Sequence, residues 1–240
     1  MSWRVARVSG LRDETPSART LVLDVEDWPG HVAGQHVDIR LTAADGYTAT
    51  RSYSIASAPD VERVEVTVER LDDGEVSPYL TRDVIVGDQL EVRGPIGGWF
   101  VWRPEEEAPV QLVGGGSGFV PLMSMVRTHA ARSSSAPVRL VYSVRAPDAV
   151  LYAGELARPP GHVQVTYAYT RAVPEGWPDR PRRVDAELLA AATWPADRRP
   201  RSYVCGPTGF VEAVADLLVA AGHDPRTVRT ERFGPTGGTR

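Results

Sequence analysis

RPEEEAPVQLVGG, residues 103–115, is where the sequence changes its grammar. RPEEEAP (103–109) is a polar, proline-flanked junction, and VQLVGG (110–115) is a short apolar run of the kind that forms a buried strand. Upstream, TLVLDVE (20–26), HVDIRL (36–41), VEVTVERL (64–71) and DQLEVRGP (88–95) alternate or are rich in β-formers. Between them stand DWPGHVAGQ, SAPD, LDDGEVS and GPIGG. Many short strands separated by Gly/Pro turns predict a small antiparallel barrel or sandwich. One helix interrupts it, VSPYLTRDV (76–84), with Ser77 as its expected N-cap.

Downstream of the junction, strands and helices alternate. FVPLMSMVRTHAAR (119–132) predicts a helix, VRLVYSV (138–144) a strand, YAGELA (152–157) a helical turn and VQVTYAYT (163–170) a strand. DAELLAAA (185–192) is a helix capped by Asp185, and SYVCG (202–206) is a strand. The next helix places Phe210, Val214, Leu217, Leu218 and Ala221 on one stripe, with Gly222 as its stop and TVRTERF (227–233) as a closing strand. The expected architecture has two domains: an N-terminal antiparallel β-barrel over 1–104, then a C-terminal doubly wound α/β domain with a parallel sheet over 105–240.

Composition narrows the function. A 42% hydrophobic content supports packed cores, and a net charge of −4 argues against a nucleic-acid surface. All 27 basic residues are arginine. The single cysteine, Cys205, excludes an internal disulfide, a four-cysteine iron–sulfur cluster and a Cys-rich zinc site, so no metal is expected. MSWRVARVSG lacks the apolar core of a signal peptide, and no apolar run reaches the roughly 20 residues of a membrane span. A cytoplasmic location is expected.

Three stretches carry chemistry. In RSYSIAS (51–57), Ser52 and Ser54 share one face of a strand while Arg51, Tyr53 and Ile55 share the other. Such a strand suits a ligand that is partly charged, partly planar and partly hydrogen-bonding. GGGSG (114–118) joins a strand to a helix, either as a tight structural turn or as a place where backbone amides approach a pyrophosphate. It lacks the G-x-G-x-x-G spacing. YVCGPTGF (203–210) is a second strand–turn–helix junction, whose Cys205 is either a small buried residue or part of a ligand crevice.

RSYS (51–54), GEVS (74–77), GGGSGFVPLMSM (114–125), YVCGP (203–207) and ERF (231–233), in this order, resemble the ferredoxin–NADP reductase family. Within it, the chain is similar to the flavin reductase modules of bacterial oxygenase systems. The resemblance implies an FAD-binding barrel and an NAD(P)-binding α/β domain. Arg51 would then pair with the FAD pyrophosphate, Ser52 and Tyr53 would belong to the flavin strand, and Ser54 would reach flavin N5. Thr67, Val68 and Glu69 would line the flavin, and Glu75, Val76 and Ser77 would face its phosphates. Gly115, Gly116, Ser117 and Gly118 would cradle the nicotinamide dinucleotide, with Cys205, Gly206 and Pro207 beside the nicotinamide and Phe233 over the flavin ring. Ser54, Cys205 and Phe233 are thus the expected catalytic set.

Ser143 and Arg145, then Thr170 and Arg171, then Arg183 follow successive elements of the second domain. By the resemblance, a hydroxyl–arginine pair with a further arginine favours NADPH over NADH, although Asp148 and Asp185 could serve a ribose. Relatives with their own iron–sulfur domain need more cysteines than this chain has. The implied partner is therefore a separate electron acceptor: a ferredoxin, a flavodoxin, an oxygenase or another redox component. The alternative is a flavin-binding electron-transfer or sensor subunit without free-substrate turnover.

Overall fold

The structure, a computed structural model, describes residues 2–59 and 63–233. The first sheet holds β1 (Trp3–Thr15), β2 (Ala18–Val25), β3 (His36–Thr42), β4 (Thr48–Ser54), β5 (Val64–Glu69) and β6 (Gln89–Ile96). All its pairings are antiparallel, in the order β4-β3-β6-β1-β2-β5. A single bridge, Ile55 to Val66, joins the two end strands, with the Ala56 amide donating to Glu65 O at 2.7 Å. That bridge closes the sheet into a barrel and removes its free edges at one end. Inside lie Val8, Leu21, Leu23, Ile39, Val66 and Val92, and the short helix α1 (Ser77–Arg82) adds Leu80 to the same core.

The second sheet is parallel throughout: β7 (Val110–Gly115), β8 (Val138–Val144), β9 (Val163–Tyr169), β10 (Arg201–Pro207) and β11 (Val228–Phe233), in the order β11-β10-β7-β8-β9. Every residue of β7 is buried, as a central strand covered on both faces requires. Leu112, Leu140 and Tyr203 pack on one face with α2 (Val120–Ala131) and the short turn α3 (Ala153–Leu156). Val113, Val141 and Val204 pack on the other with α4 (Ala186–Ala192) and α5 (Thr208–Ala220). This is the expected doubly wound arrangement.

Helix α2 ties the two sheets together. Ser124 Oγ donates to Ser57 O at 2.7 Å, and Arg127 donates to Ala56 O and Glu65, both at 2.9 Å. From α3's cap, Tyr152 Oη donates to Thr67 Oγ1 at 2.5 Å, while Tyr203 Oη donates to Val101 O at 2.9 Å. Ala18, Ala33 and Ala56 of the barrel side join the core that lies under α2.

Asp185 caps α4, accepting from the Leu188 amide at 2.9 Å. Gly222 follows the α5 cap with φ +92°, as a helix stop requires. Three local readings differ. Ser77 is the first helical residue, not the cap, because its Oγ accepts the Leu71 amide at 3.0 Å and so folds the preceding loop. The buried stripe of α5 is Val211, Val214 and Leu218; Phe210 and Leu217 are half-buried and Ala221 is exposed. Strand β1 was not anticipated. Register shifts at Val8/Gly10 and Asp13/Thr15 break the alternation that would have revealed it.

Candidate active site

Strand β4 pairs with β3 along its length but reaches β5 only through the Ile55–Val66 bridge. Beyond that bridge the barrel opens, and the residues of RSYS stand along one lip of the opening. Ser54 Oγ is buried and has no hydrogen-bond partner among the described residues. An orphaned buried hydroxyl carries a desolvation cost that a bound acceptor or donor would relieve. Tyr53 is half-buried on the barrel core, and burial raises the pKa of its hydroxyl.

Arg51 is exposed on the same strand and already engaged. Its Nη2 donates to Glu75 Oε2 at 2.6 Å and its Nη1 to Thr50 O at 2.8 Å, while Tyr47 Oη donates to Glu75 Oε1 at 2.7 Å. Hydrogen bonds from Tyr47 and Arg51 hold the Glu75 carboxyl below the usual carboxylate range. Ser52 points to different work. Its Oγ donates to Asp38 Oδ1 at 2.6 Å, and Arg93 donates to Asp38 Oδ2 at 2.6 Å. Burial alone would raise the Asp38 carboxyl, but those two partners outweigh it and keep it ionised.

On the opposite lip, Thr67 Oγ1 is held between Thr20 at 2.7 Å and Tyr152, so its hydroxyl belongs to the contact between the domains. Val68 is buried in the barrel core and Glu69 is exposed. Val76 is fully buried and the Ser77 hydroxyl is spent on Leu71. Of the 75–77 turn, the Glu75 side chain is therefore the part facing Arg51.

In the second domain β7 and β10 are adjacent, and the chain leaves them toward opposite sides of the sheet, the switch point where open α/β sheets bind ligands. Gly114 and Cys205 are register partners at that point. A Cβ on Gly118 would lie 2.4 Å from Gly206 Cα, and one on Gly115 would lie 2.8 Å from the Phe210 ring. Gly118 lets the Gly116–Phe119 turn pack on the end of β10, and Gly115 lets the Phe210 ring of α5 approach. Gly116 differs: its φ is +55° and nothing lies within 4 Å of an added Cβ, so this corner faces open space. Gly115, Gly116, Ser117 and Gly118 divide between packing and presentation, which leaves a narrow glycine cradle at the start of α2.

Cys205 is fully buried and a free thiol. Burial pushes its pKa up, and the nearby Glu231 carboxylate adds to the effect, so it stays a neutral thiol. Pro207 is exposed and pairs in register with Phe233, which is half-buried against the core. The residues after Phe233 lie outside the described part.

The two halves meet through residues that the spacing did not single out. His36 is the register partner of Ser54, and Glu231 is the register partner of Cys205. His36 Nδ1 lies 3.8 Å from Glu231 Oε1. Ser54 and Cys205 are thus the strand partners of the two residues that meet across the domains. Burial pushes the Glu231 carboxyl up to about 7 and lowers the His36 pKa. Glu231 stands inside the quoted ERF run, but only the cross-domain contact marks it.

At the far end of the second sheet, Ser143 is buried, Thr170 is half-buried with its hydroxyl 3.4 Å from Val144 O, and Arg145, Arg171 and Arg183 are exposed. The Arg171 amide donates to Arg145 O at 2.9 Å, which brings the two loops together. Arg182 is committed to Asp185 and Glu187, whereas Arg171 and Arg183 have no ion pair among the described residues. Among the described residues there is no metal-ligating cluster, and no helix is long and apolar enough to cross a membrane.

Comparison with known proteins agrees with this division. An oxidoreductase FAD-binding domain model matches residues 11–101 and an oxidoreductase NAD-binding domain model matches residues 112–216. The chain is 35% identical over 223 residues to the NADH oxidoreductase HCR of Escherichia coli, covering 92% of this chain and 65% of that protein. It is 31% identical over 209 residues to the glycine betaine monooxygenase reductase subunit of Chromohalobacter salexigens, covering 85% of this chain and 56% of that protein. The chain therefore spans between about half and two thirds of these relatives' length. The FAD/NAD binding domain of nitric oxide dioxygenase from Vibrio cholerae superposes with a TM-score of 0.82 at 26% identity, covering 97% of this chain and 99% of that one. With an FAD-binding barrel joined to an NAD-binding parallel sheet, the chain belongs to the ferredoxin–NADP reductase-like family of oxidoreductases.

Proposed function

We propose that the protein is an FAD-dependent reductase that takes hydride from NAD(P)H, with NADPH favoured, and passes electrons to a separate protein partner. Residues 1–104 form its flavin domain and 105–240 its nucleotide domain. The observation that carries this reading is the meeting of the two domains at His36 and Glu231, the strand partners of the unpartnered Ser54 hydroxyl and the neutral Cys205 thiol. When bound, the flavin supplies a hydride-accepting N5 and can release electrons singly or in pairs. The protein needs little acid–base machinery for this, since its task is to align two planar rings and exclude water. With the cofactors bound, Ser54 would offer its free hydroxyl as a hydrogen-bond donor, and Cys205 and Phe233 would line the nicotinamide and flavin sites. Arg51 and the Gly115–Gly118 cradle hold the two pyrophosphates.

The acceptor we propose is a separate ferredoxin, flavodoxin or oxygenase component; a relative named as a monooxygenase reductase subunit supports the oxygenase option. A cytoplasmic location, where NAD(P)H is available, is part of this reading. Arg171 and Arg183, exposed and without an ion pair among the described residues, with Thr170 beside them, favour a 2′-phosphate. Anaerobic mixing with NADPH tests the reading: bleaching of bound flavin within seconds is expected. An unbleached flavin means a flavin-binding electron-transfer or sensor subunit instead. For the nucleotide, Arg171→Ala should lower kcat/KM about tenfold or more with NADPH and little with NADH. Equal losses, or a wild type preferring NADH, sink the NADPH assignment.

A further inference from the structure

We infer that Glu75 is an internal competitor for the flavin phosphates, holding Arg51 closed and setting the affinity of the flavin site. This rests on the reading above that Arg51 grips the diphosphate.

The geometry carries it. Arg51 offers a planar fork of donors, and a phosphate is gripped best when two of them point outward together. Here one N–H of Nη2 is engaged by Glu75 Oε2 at 2.6 Å and one of Nη1 by Thr50 O at 2.8 Å, so Glu75 competes for the fork. Glu75 is itself steadied from the other side by Tyr47 Oη at 2.7 Å. The three side chains come from the β3–β4 turn, from β4 and from the loop before α1, and they meet across the mouth of the opened barrel. A carboxylate on a guanidinium has the charge and the planar pair of oxygens that a phosphate edge would present. Flavin phosphates therefore meet Arg51 with its Nη2 edge already held by a carboxylate, and Glu75 stands as a like charge beside them.

Both side chains are about half exposed, so water and salt screen the effect. The expected size is correspondingly modest, about two- to fivefold in dissociation constant.

The test uses the full chain stripped of flavin, titrated with FAD and separately with riboflavin, which has no phosphate, while flavin fluorescence is followed. Glu75→Gln keeps the shape and the Tyr47 contact but removes the charge. It should tighten FAD two- to fivefold at low salt, less at high salt, and leave riboflavin unchanged. Tightening of both flavins alike, no change, or weaker FAD binding overturns the inference; weaker binding would make Glu75 a support that orients Arg51. Arg51→Ala separates the two readings. If it weakens FAD no more than riboflavin, the assignment of Arg51 to the diphosphate fails. If it weakens FAD selectively while Glu75→Gln does not tighten it, only the competitor role fails.

Discussion

His36 Nδ1 and Glu231 Oε1 stand 3.8 Å apart across the two domains, yet their proton affinities move in the direction opposite to that of an ion pair. An ion pair lowers the acid and raises the base; here burial raises the Glu231 carboxyl to about 7 and lowers His36. Desolvation wins because Glu231 Oε2 is buried without a partner among the described residues and His36 is partly withdrawn from solvent.

The pH dependence of stability follows. A carboxyl whose folded pKa is raised binds more protons folded than unfolded, so its contribution is fully present below the ordinary carboxylate range and is lost as pH rises through about 7. His36 acts in the opposite sense, losing stability as pH falls below its ordinary range. Glu231→Gln should therefore match wild type at pH 5 and melt higher at pH 8.5, by about 2–4 °C for each kcal/mol relieved. Thermal melts across that range check it. A constant offset between the proteins would mean that Glu231 does not titrate in this window.

The glycine cradle makes a second, position-specific prediction. Gly118→Ala drives a Cβ to within 2.4 Å of Gly206 Cα and 2.5 Å of Cys205 O, which are backbone atoms that cannot swing aside. It should cost about 1–3 kcal/mol and displace the turn from β10, weakening nucleotide binding. Gly116→Ala meets no atom within 4 Å and costs only its positive φ, about 1 kcal/mol. Melting temperatures and NADPH titrations of the two variants should separate accordingly. Equal destabilisation would contradict the division of the cradle.

Features built from neighbouring residues were legible in the sequence. The strands of the second sheet, the Asp185 cap and the Gly222 stop all follow from local spacing and local chemistry. Contacts between distant segments were not. Thr67 sits in a stretch that matches a flavin lining, but its hydroxyl is claimed by Tyr152, 85 residues away. The Glu75 carboxylate reaches Arg51 over 24 residues, and no spacing rule links them. Glu231 and His36 belong to different sheets, so only the docking of the domains by Ser124 and Arg127 makes them neighbours. Strand β1 was hidden for a different reason, since its two register shifts erase the period of two that a strand normally prints on its sequence.

Ser54→Ala separates a functional hydroxyl from a structural one. In the structure Ser54 is 5% exposed and its Oγ has no partner among the described residues, so the hydroxyl contributes no hydrogen bond to the fold. Deleting it removes a buried unsatisfied group and leaves a methyl in its place. The flavin-free variant should melt at the wild-type temperature or slightly above it, with a gain of up to about 1 kcal/mol. If Ser54 serves the flavin as proposed, the same deletion also removes a donor from the reacting edge. One hydrogen bond made mainly in the transition state is worth about 1.4 kcal/mol, so flavin reduction by NADPH should slow about tenfold or more. Stopped-flow reduction under anaerobic conditions, paired with melts of the flavin-free protein, measures both effects. A variant that melts lower and reduces its flavin at the wild-type rate would return Ser54 to the packing of the barrel.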